Sequence, residues 1–246
     1  AQALPRLEEA LRTQQAIRNR FEEWLVWNEL GILHWLVGQY GESGRCFESG
    51  LAVSRAIGSS FGEAYLLCNL GQLQRDQGST ANAVRSLRTA LDLALAQGDT
   101  SLAATCRGDL ALALLNLGDA PAALAEALLA EQGFSEPGQE SSLTAVFAAQ
   151  AMARLAAQDH AAAGAAARRG LDNLAAHGGD YFPHRDGYWC ACVLQACGAE
   201  VAAEEALRTA QRALRERAAR ISDAEMRASF LNNIAVNRAI LDAITD

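Results

Sequence analysis

Apolar residues along this chain recur three and four positions apart, and the sparse β-branched residues never alternate over a run, which predicts helices throughout. The stretch 27–51 sets the pattern: Trp27, Leu30 and Gly31, then His34, Gly38 and Tyr40, then Ser43, Phe47, Gly50 and Leu51. It fits two antiparallel helices joined by a tight turn. Trp27 and Leu30 form the core stripe, and Gly31 lets the facing helix approach closely. Gly38 ends the first helix in the left-handed conformation that glycine adopts at least cost.

The pattern repeats every 40 residues. Leu30-Gly31 becomes Leu70-Gly71, Leu110-Ala111, Gln150-Ala151 and Cys190-Ala191. The turn residue runs Gly38, Gly78, Gly118, Gln158, Gly198, and the second-helix packing residue runs Phe47, Leu87, Ala127, Ala167, Leu207. A third column, Gly58, Gly98, Gly138 and Gly178, marks where each second helix should stop. It holds Ala218 in the fifth copy, so the last helix should run on. Gly98-Asp99, Gly118-Asp119 and Gln158-Asp159 read as a helix stop followed by a cap.

The repeating unit resembles a tetratricopeptide repeat, a little longer than the usual unit of about 34 residues. The resemblance implies an all-α fold: a right-handed superhelical solenoid of antiparallel helix pairs with a C-terminal capping helix. One solenoid would then span 1–246, with repeats near 24–60, 64–100, 104–140, 144–180 and 184–220, and a cap over 221–246. Residues 1–21 read as an orphan second helix, with Ala3, Leu7, Ala10 and Leu11 on the packing columns. With neither a partner helix nor an initiator Met, they suggest a fragment of a longer protein; the alternative is a natural capping helix. In the tail, Ser222 and Glu225 form a capping box before a stripe of Met226, Phe230 and Ile234. Phe230-Leu231-Asn232-Asn233, then Asn237-Arg238 and Leu241, resemble the end of the repeat region in bacterial STAND-type signalling ATPases. There a proline commonly breaks the segment; here Ala235 takes its place. The tail is expected to cap the open face of the fifth repeat.

Composition narrows the function. The net charge is -8 and every basic residue is Arg, so bulk contact with phosphate backbones is disfavoured. The longest uncharged runs, such as 141–153, fall well short of the ~18 apolar residues that span a bilayer. Six cysteines without a disulfide-like spacing suggest a reducing compartment and a cytoplasmic location. Pro121 fits a first helical turn, while Pro137 and Pro183 read as loop residues. The segment 131–142, with Gly133, Ser135, Pro137 and Gly138, reads as the loosest linker.

Candidate chemistry is sparse. Cys190, Cys192 and Cys197 with His184 raise the question of a metal, but Cys190 and Cys192 lie about 200° apart on a helix, and Cys190 sits on a core column. A phosphate loop of the Gly-x-x-x-x-Gly-Lys type needs a lysine, and no nucleophile elbow is present. The arginines between 208 and 220 are interleaved with glutamates, as on a solvated helix face. No catalytic residue, metal or cofactor is expected.

The family resemblance implies a concave groove lined by the first helices. Carried over position by position, it gives Asn28, Trp35, Tyr65, Gln72, Arg75, Asn116, Met152, Arg185 and Tyr188 as ligand-facing residues. The Lys/Asn clamp by which chaperone-binding relatives hold a peptide carboxylate is ruled out by the lack of lysine. Aliphatic and aromatic residues with spaced polar groups suit an amphipathic helix or an extended peptide. The expected function is a non-catalytic protein- or peptide-binding module, the sensor or scaffold part of a larger signalling protein, without nucleic-acid or membrane partners. The alternative is an oligosaccharide-type inducer sensor of a transcription regulator, with Trp35, Tyr65 and Tyr188 stacking on sugar rings. Weak self-association through Leu4, Leu7 and Leu11 of the first helix is a further expectation.

Overall fold

A computed structural model of the chain describes residues 3–134 and 136–243; Ser135 of the expected linker and the two extreme ends lie outside them. Helices account for nearly everything described, and no strand occurs among those residues. The helix α1 (Ala3–Ala16) comes first. Five pairs follow: α2 (Arg20–Leu36) with α3 (Tyr40–Ala56), α4 (Ser60–Asp76) with α5 (Thr80–Gln97), α6 (Thr100–Asn116) with α7 (Ala120–Gly133), α8 (Leu143–Ala156) with α9 (His160–His177), and α10 (Pro183–Ala196) with α11 (Glu200–Arg220). The tail forms α12 (Ala224–Asn232) and α13 (Ala235–Asp242), and a 3-10 turn at Glu140–Ser142 precedes α8.

The turns inside the pairs follow the sequence ladder. Gly38, Gly78, Gly118 and Gly198 all have positive φ, and Gln158 takes the same left-handed conformation at φ 63°. For a residue with a Cβ this costs about 1–2 kcal/mol, so the turn geometry is enforced by the pair around it. The side chains of Asp99, Asp119 and Asp159 accept from the backbone N–H of Leu102, Ala122 and Ala162. Asn19 and Ser59, not read as caps from the sequence, do the same for α2 and α4. Pro183 is the first residue of α10, where its missing N–H has no helical partner to lose, and not a loop residue. With Ala218 in place of the terminating glycine, α11 extends to 21 residues.

The chain divides into two compact units. The first holds the chain up to Leu102 together with Ala219–Ile234. Its first two pairs close on glycines. A Cβ on Gly31 would stand 2.4 Å from the Phe47 ring, and one on Gly71 would stand 2.6 Å from Leu87. The partners in each pair are almost equally far in sequence from their turn, which makes the helices antiparallel. Ser43 Oγ donates to the Gly31 carbonyl at 2.8 Å, satisfying a polar group at the contact. The indole of Trp24, 1% exposed, fills the base of the core, whereas Trp27 is only half-buried. The helix α1 has no fully buried residue; it lays Leu4, Leu7 and Leu11, half-buried, beside α2.

The second unit holds Ala103–Ala218 and the chain from Ala235. Its core is small-residue packing: Ala148, Ala151, Ala163 and Ala167 gather around Cys190, Val193 and Leu194. The tail is divided between the units. In the first, Phe230 and Ile234 are buried, and Asn233 Nδ2 donates to the Gly38 carbonyl at 3.3 Å, so α12 seats on the turn of the first pair. In the second, Asn237 and Ile240 of α13 are fully buried, with Asn237 against His184 of α10. Within the second unit, α13 thus packs on α10 of the fifth pair. The break between α12 and α13 falls at Asn233-Ile234 without a proline. The cap of α12 is Asp223, which accepts from Met226 N, and not Ser222.

Adding a methyl tests the glycine contacts with opposite signs. Gly31→Ala should lower the unfolding free energy in chemical denaturation by about 2 kcal/mol, because the Phe47 ring must move. Gly41→Ala, where a Cβ would meet nothing within 4 Å, should raise it by about 0.5 kcal/mol. A neutral Gly31→Ala would contradict the packing.

Candidate functional site

In the first unit, polar side chains of successive first helices bond to one another. Asn69 Nδ2 of α4 donates to Asn28 Oδ1 of α2 at 2.7 Å. One helical stretch further on, Trp35 Nε1 donates to Asp76 Oδ2 at 2.9 Å. Tyr65 donates its hydroxyl to Asp99 Oδ2 at 3.1 Å, reaching the cap of the next pair. Arg75 holds Asp76 Oδ1 through both Nε (3.1 Å) and Nη2 (2.9 Å). A buried arginine and a half-buried carboxylate bonded in this way lock each other's rotamers. Gln72 lies against the Cys68 thiol at 3.8 Å.

The sequence-derived residues thus fall in different settings. Asn28, Trp35, Gln72 and Arg75 are each buried, at 8%, 2%, 5% and 5% exposure, whereas Tyr65 is half-buried. Asn69 and Asp76 are also partly open; Asn69 was missed by sequence reasoning because it sits one position off the expected groove register. Above the N-terminal turns, Phe21, Trp24, Phe61 and Tyr65 follow one another with ring centroids 5.9, 6.2 and 4.7 Å apart, and Phe21 and Phe61 are exposed.

In the second unit Asn116 is exposed at the end of α6, and Met152 packs half-buried against the alanine-rich cluster. Arg185 is buried between two rings, its guanidinium carbon 4.8 Å from the Phe182 centroid and 4.7 Å from that of Trp189, with Nε on Asp186 at 3.2 Å. That sandwich positions α10 and leaves the guanidinium little surface for a ligand. Tyr188, by contrast, lines an open cleft of about 460 Å³ beside Cys192 and Gln195. Burial and a hydrogen bond with the Cys192 thiol push its phenol up to about 12.

The cysteines do not converge. Cys190 is fully buried with its sulfur against Gly170, and burial pushes its thiol up to about 12; Cys192 is exposed. Nowhere among the described residues do three His, Cys, Asp or Glu side chains gather as a metal site. Among those residues, too, no helix is long and apolar enough to cross a membrane. Glu131 is pushed up by burial but held below the usual carboxylate range by hydrogen bonds from Gln150 and Arg169.

Against known proteins, residues 22–96 match the tetratricopeptide repeat family. That match suggests a protein-binding or scaffold module. Similar solved structures include BtubC (BKLC) from P. vanneervenii, 19% identical, with 91% of this chain and 94% of that one covered and a TM-score of 0.61. The apo form of RapI is 12% identical, with 97% and 92% covered and a TM-score of 0.66. At these identities the likeness concerns the fold alone, which is all-α and tetratricopeptide-like. No curated protein matches the chain.

His184, 1% exposed and with Nε2 3.0 Å from Asn237 Oδ1, provides a pH test. Burial and then the Arg217 charge hold its imidazole down at about 4, against an ordinary 6.5; the Asn237 bond pulls the other way, and Arg185 lowers it further. Unfolded chains take up this proton near pH 6.5, folded ones only near 4, so stability falls as pH drops through that window. At about 1.4 kcal/mol per pKa unit, the loss approaches ~3 kcal/mol. The stability advantage of the wild type over His184→Gln should therefore shrink by that order between pH 7 and pH 4 in urea titrations. An unchanged difference would mean that the imidazole is not held neutral.

Proposed function

We propose that the chain is a non-catalytic module that binds a protein or peptide on the face of its first helices, serving as the sensor or scaffold part of a larger cytoplasmic signalling protein. The ordered polar bed of the first unit carries this reading. Asn69 with Asn28, Trp35 with Asp76, and Tyr65 with Asp99 tie successive first helices together before any ligand arrives. A bed already ordered spares a bound peptide the cost of arranging it, which is how a shallow face attains useful affinity. The half-open Tyr65, Asn69 and Asp76 offer a peptide backbone both donors and acceptors, and the exposed Phe21 and Phe61 offer apolar anchors. In the second unit, taken by itself, the exposed Asn116 and the half-buried Met152 and Tyr188 are the residues of that expectation left open to a ligand, whereas Arg185 is taken up by its two rings. Net charge of -8 argues against a nucleic-acid partner. The tail motif supports placement in a STAND-like protein.

The oligosaccharide-sensor reading has weaker support, since Trp35, one of its stacking residues, is 2% exposed with its indole N–H on Asp76.

Selection of a phage-displayed random peptide library against the whole chain tests the first reading. Selected peptides should lose about tenfold in affinity on Tyr65→Ala, at unchanged circular dichroism, and be unaffected by Glu48→Gln on the exposed side of α3. Peptides insensitive to Tyr65→Ala, or a thermal shift with oligosaccharides and none with peptides, would overturn it.

A further inference from the structure

The contact between the fourth and fifth pairs is laid out a second time on the fifth pair, where among the described residues it borders an open cleft. In the second unit α8 and α9 bring Ala148, Met152, Leu155, Ala163 and Ala167 to α10, whose Cys190, Val193 and Leu194 complete the cluster. Cys197 closes the contact: its sulfur donates to the His160 carbonyl at 3.3 Å, and its Cβ lies 3.9 Å from where a Cβ on Gly164 would stand. Forty residues on, the places of Ala148, Met152, Leu155, His160, Gly164 and Ala167 are held by Tyr188, Cys192, Gln195, Glu200, Glu204 and Leu207. All six line the open cleft of about 460 Å³ between α10 and α11. Ala243, the residue after α13, also lines it.

We infer that this cleft seats an amphipathic α-helix of a protein partner, stacked where a sixth first helix would lie, with an arginine or lysine set between Glu200 and Glu204. The surface is a helix-stacking surface by register, so a helix fits its ridges. Its change from the fourth pair sets the specificity. Where Cys197 meets His160 and Gly164, the next helix meets two carboxylates. Glu200 and Glu204 stand one turn apart on one face of α11, and like charges so placed repel. Arg208 meets Glu204 from the C-terminal side at 2.5 Å, which leaves the Glu200 end of the cleft acidic. Tyr188 in the place of Ala148 demands glycine or alanine on the incoming helix, while Cys192 in the place of Met152 opens room beside it for a larger apolar residue. The inference does not rest on the first-helix face of the first unit, and the failure of either leaves the other standing.

Two synthetic helix-forming peptides provide the probe, each with Ala and Leu at i, i+3, i+4 and i+7 and differing only in an Arg or a Glu that closes the stripe. Binding to the whole chain is read by fluorescence anisotropy and by the rate at which maleimide modifies Cys192, followed by mass spectrometry. The Arg peptide should slow modification about fivefold and the Glu peptide should not. The pair E200Q/E204Q should weaken the Arg peptide by a similar factor, and Leu207→Arg should abolish its binding at unchanged circular dichroism. Equal binding of both peptides, protection by neither, or full binding to folded Leu207→Arg would overturn the inference. So would light scattering that shows a dimer whose Cys192 is already protected, because the occupant would then be a second copy of the chain.

Discussion

Two helices approach most closely where one of them has little or no side chain, and the first two pairs of this chain meet that constraint at a glycine. Gly31 and Gly71 receive Phe47 and Leu87, and a Cβ at either glycine would overlap the partner. In the third and fourth pairs the same places hold Ala111 with Ala127 and Ala151 with Ala167, all fully buried. Glycine against a large residue has given way to alanine against alanine, so the contact is filled each time with a different division of volume. Interiors are packed too densely for both residues of a column to grow together. Turns, caps and stacking faces keep their 40-residue register because this contact fixes how each second helix lies on its first.

What the first helices present outward follows from that register. In the first unit their polar side chains are spaced to reach the next first helix, as in the Asn69–Asn28 and Trp35–Asp76 bonds, both between residues 41 apart. A buried polar group costs free energy unless it is bonded, and the repeat supplies the partner one step along. In the proposed reading, recognition falls to the more open residues beside these bonds, of which Tyr65 and Asn69 are the clearest. In the second unit alanine replaces the large residues, and Arg185 between Phe182 and Trp189 does the ordering in place of the polar bonds.

The helix pairs and their turns were legible in the sequence because glycine and the aspartates after it act locally. Gly98-Asp99 and Gly118-Asp119 fix backbone and cap within a few residues. Features that depend on distant partners were not. Trp24 lies outside the residues that carry the repeat and gave no sign of its burial. Residues chosen as groove-facing, Trp35 and Arg75 among them, were not separable from core by helical spacing, since both lie on the same stripe. The seat of α12 on the Gly38 turn joins residues 195 apart, and nothing local at Asn233 announces it. The tail also breaks at Asn233-Ile234 without the proline that would have marked the place.

The most direct test is a double-mutant cycle on Gly71 and Leu87 followed by chemical denaturation. Gly71→Ala alone should destabilise by overlap, and Leu87→Ala alone by the cavity it leaves. Combined, the new methyl enters the vacated space, so the double variant should be more stable than the two losses added together, by about 1 kcal/mol or more. Strictly additive losses would mean that the two residues do not share one contact, and the small-against-large register would no longer explain the fold.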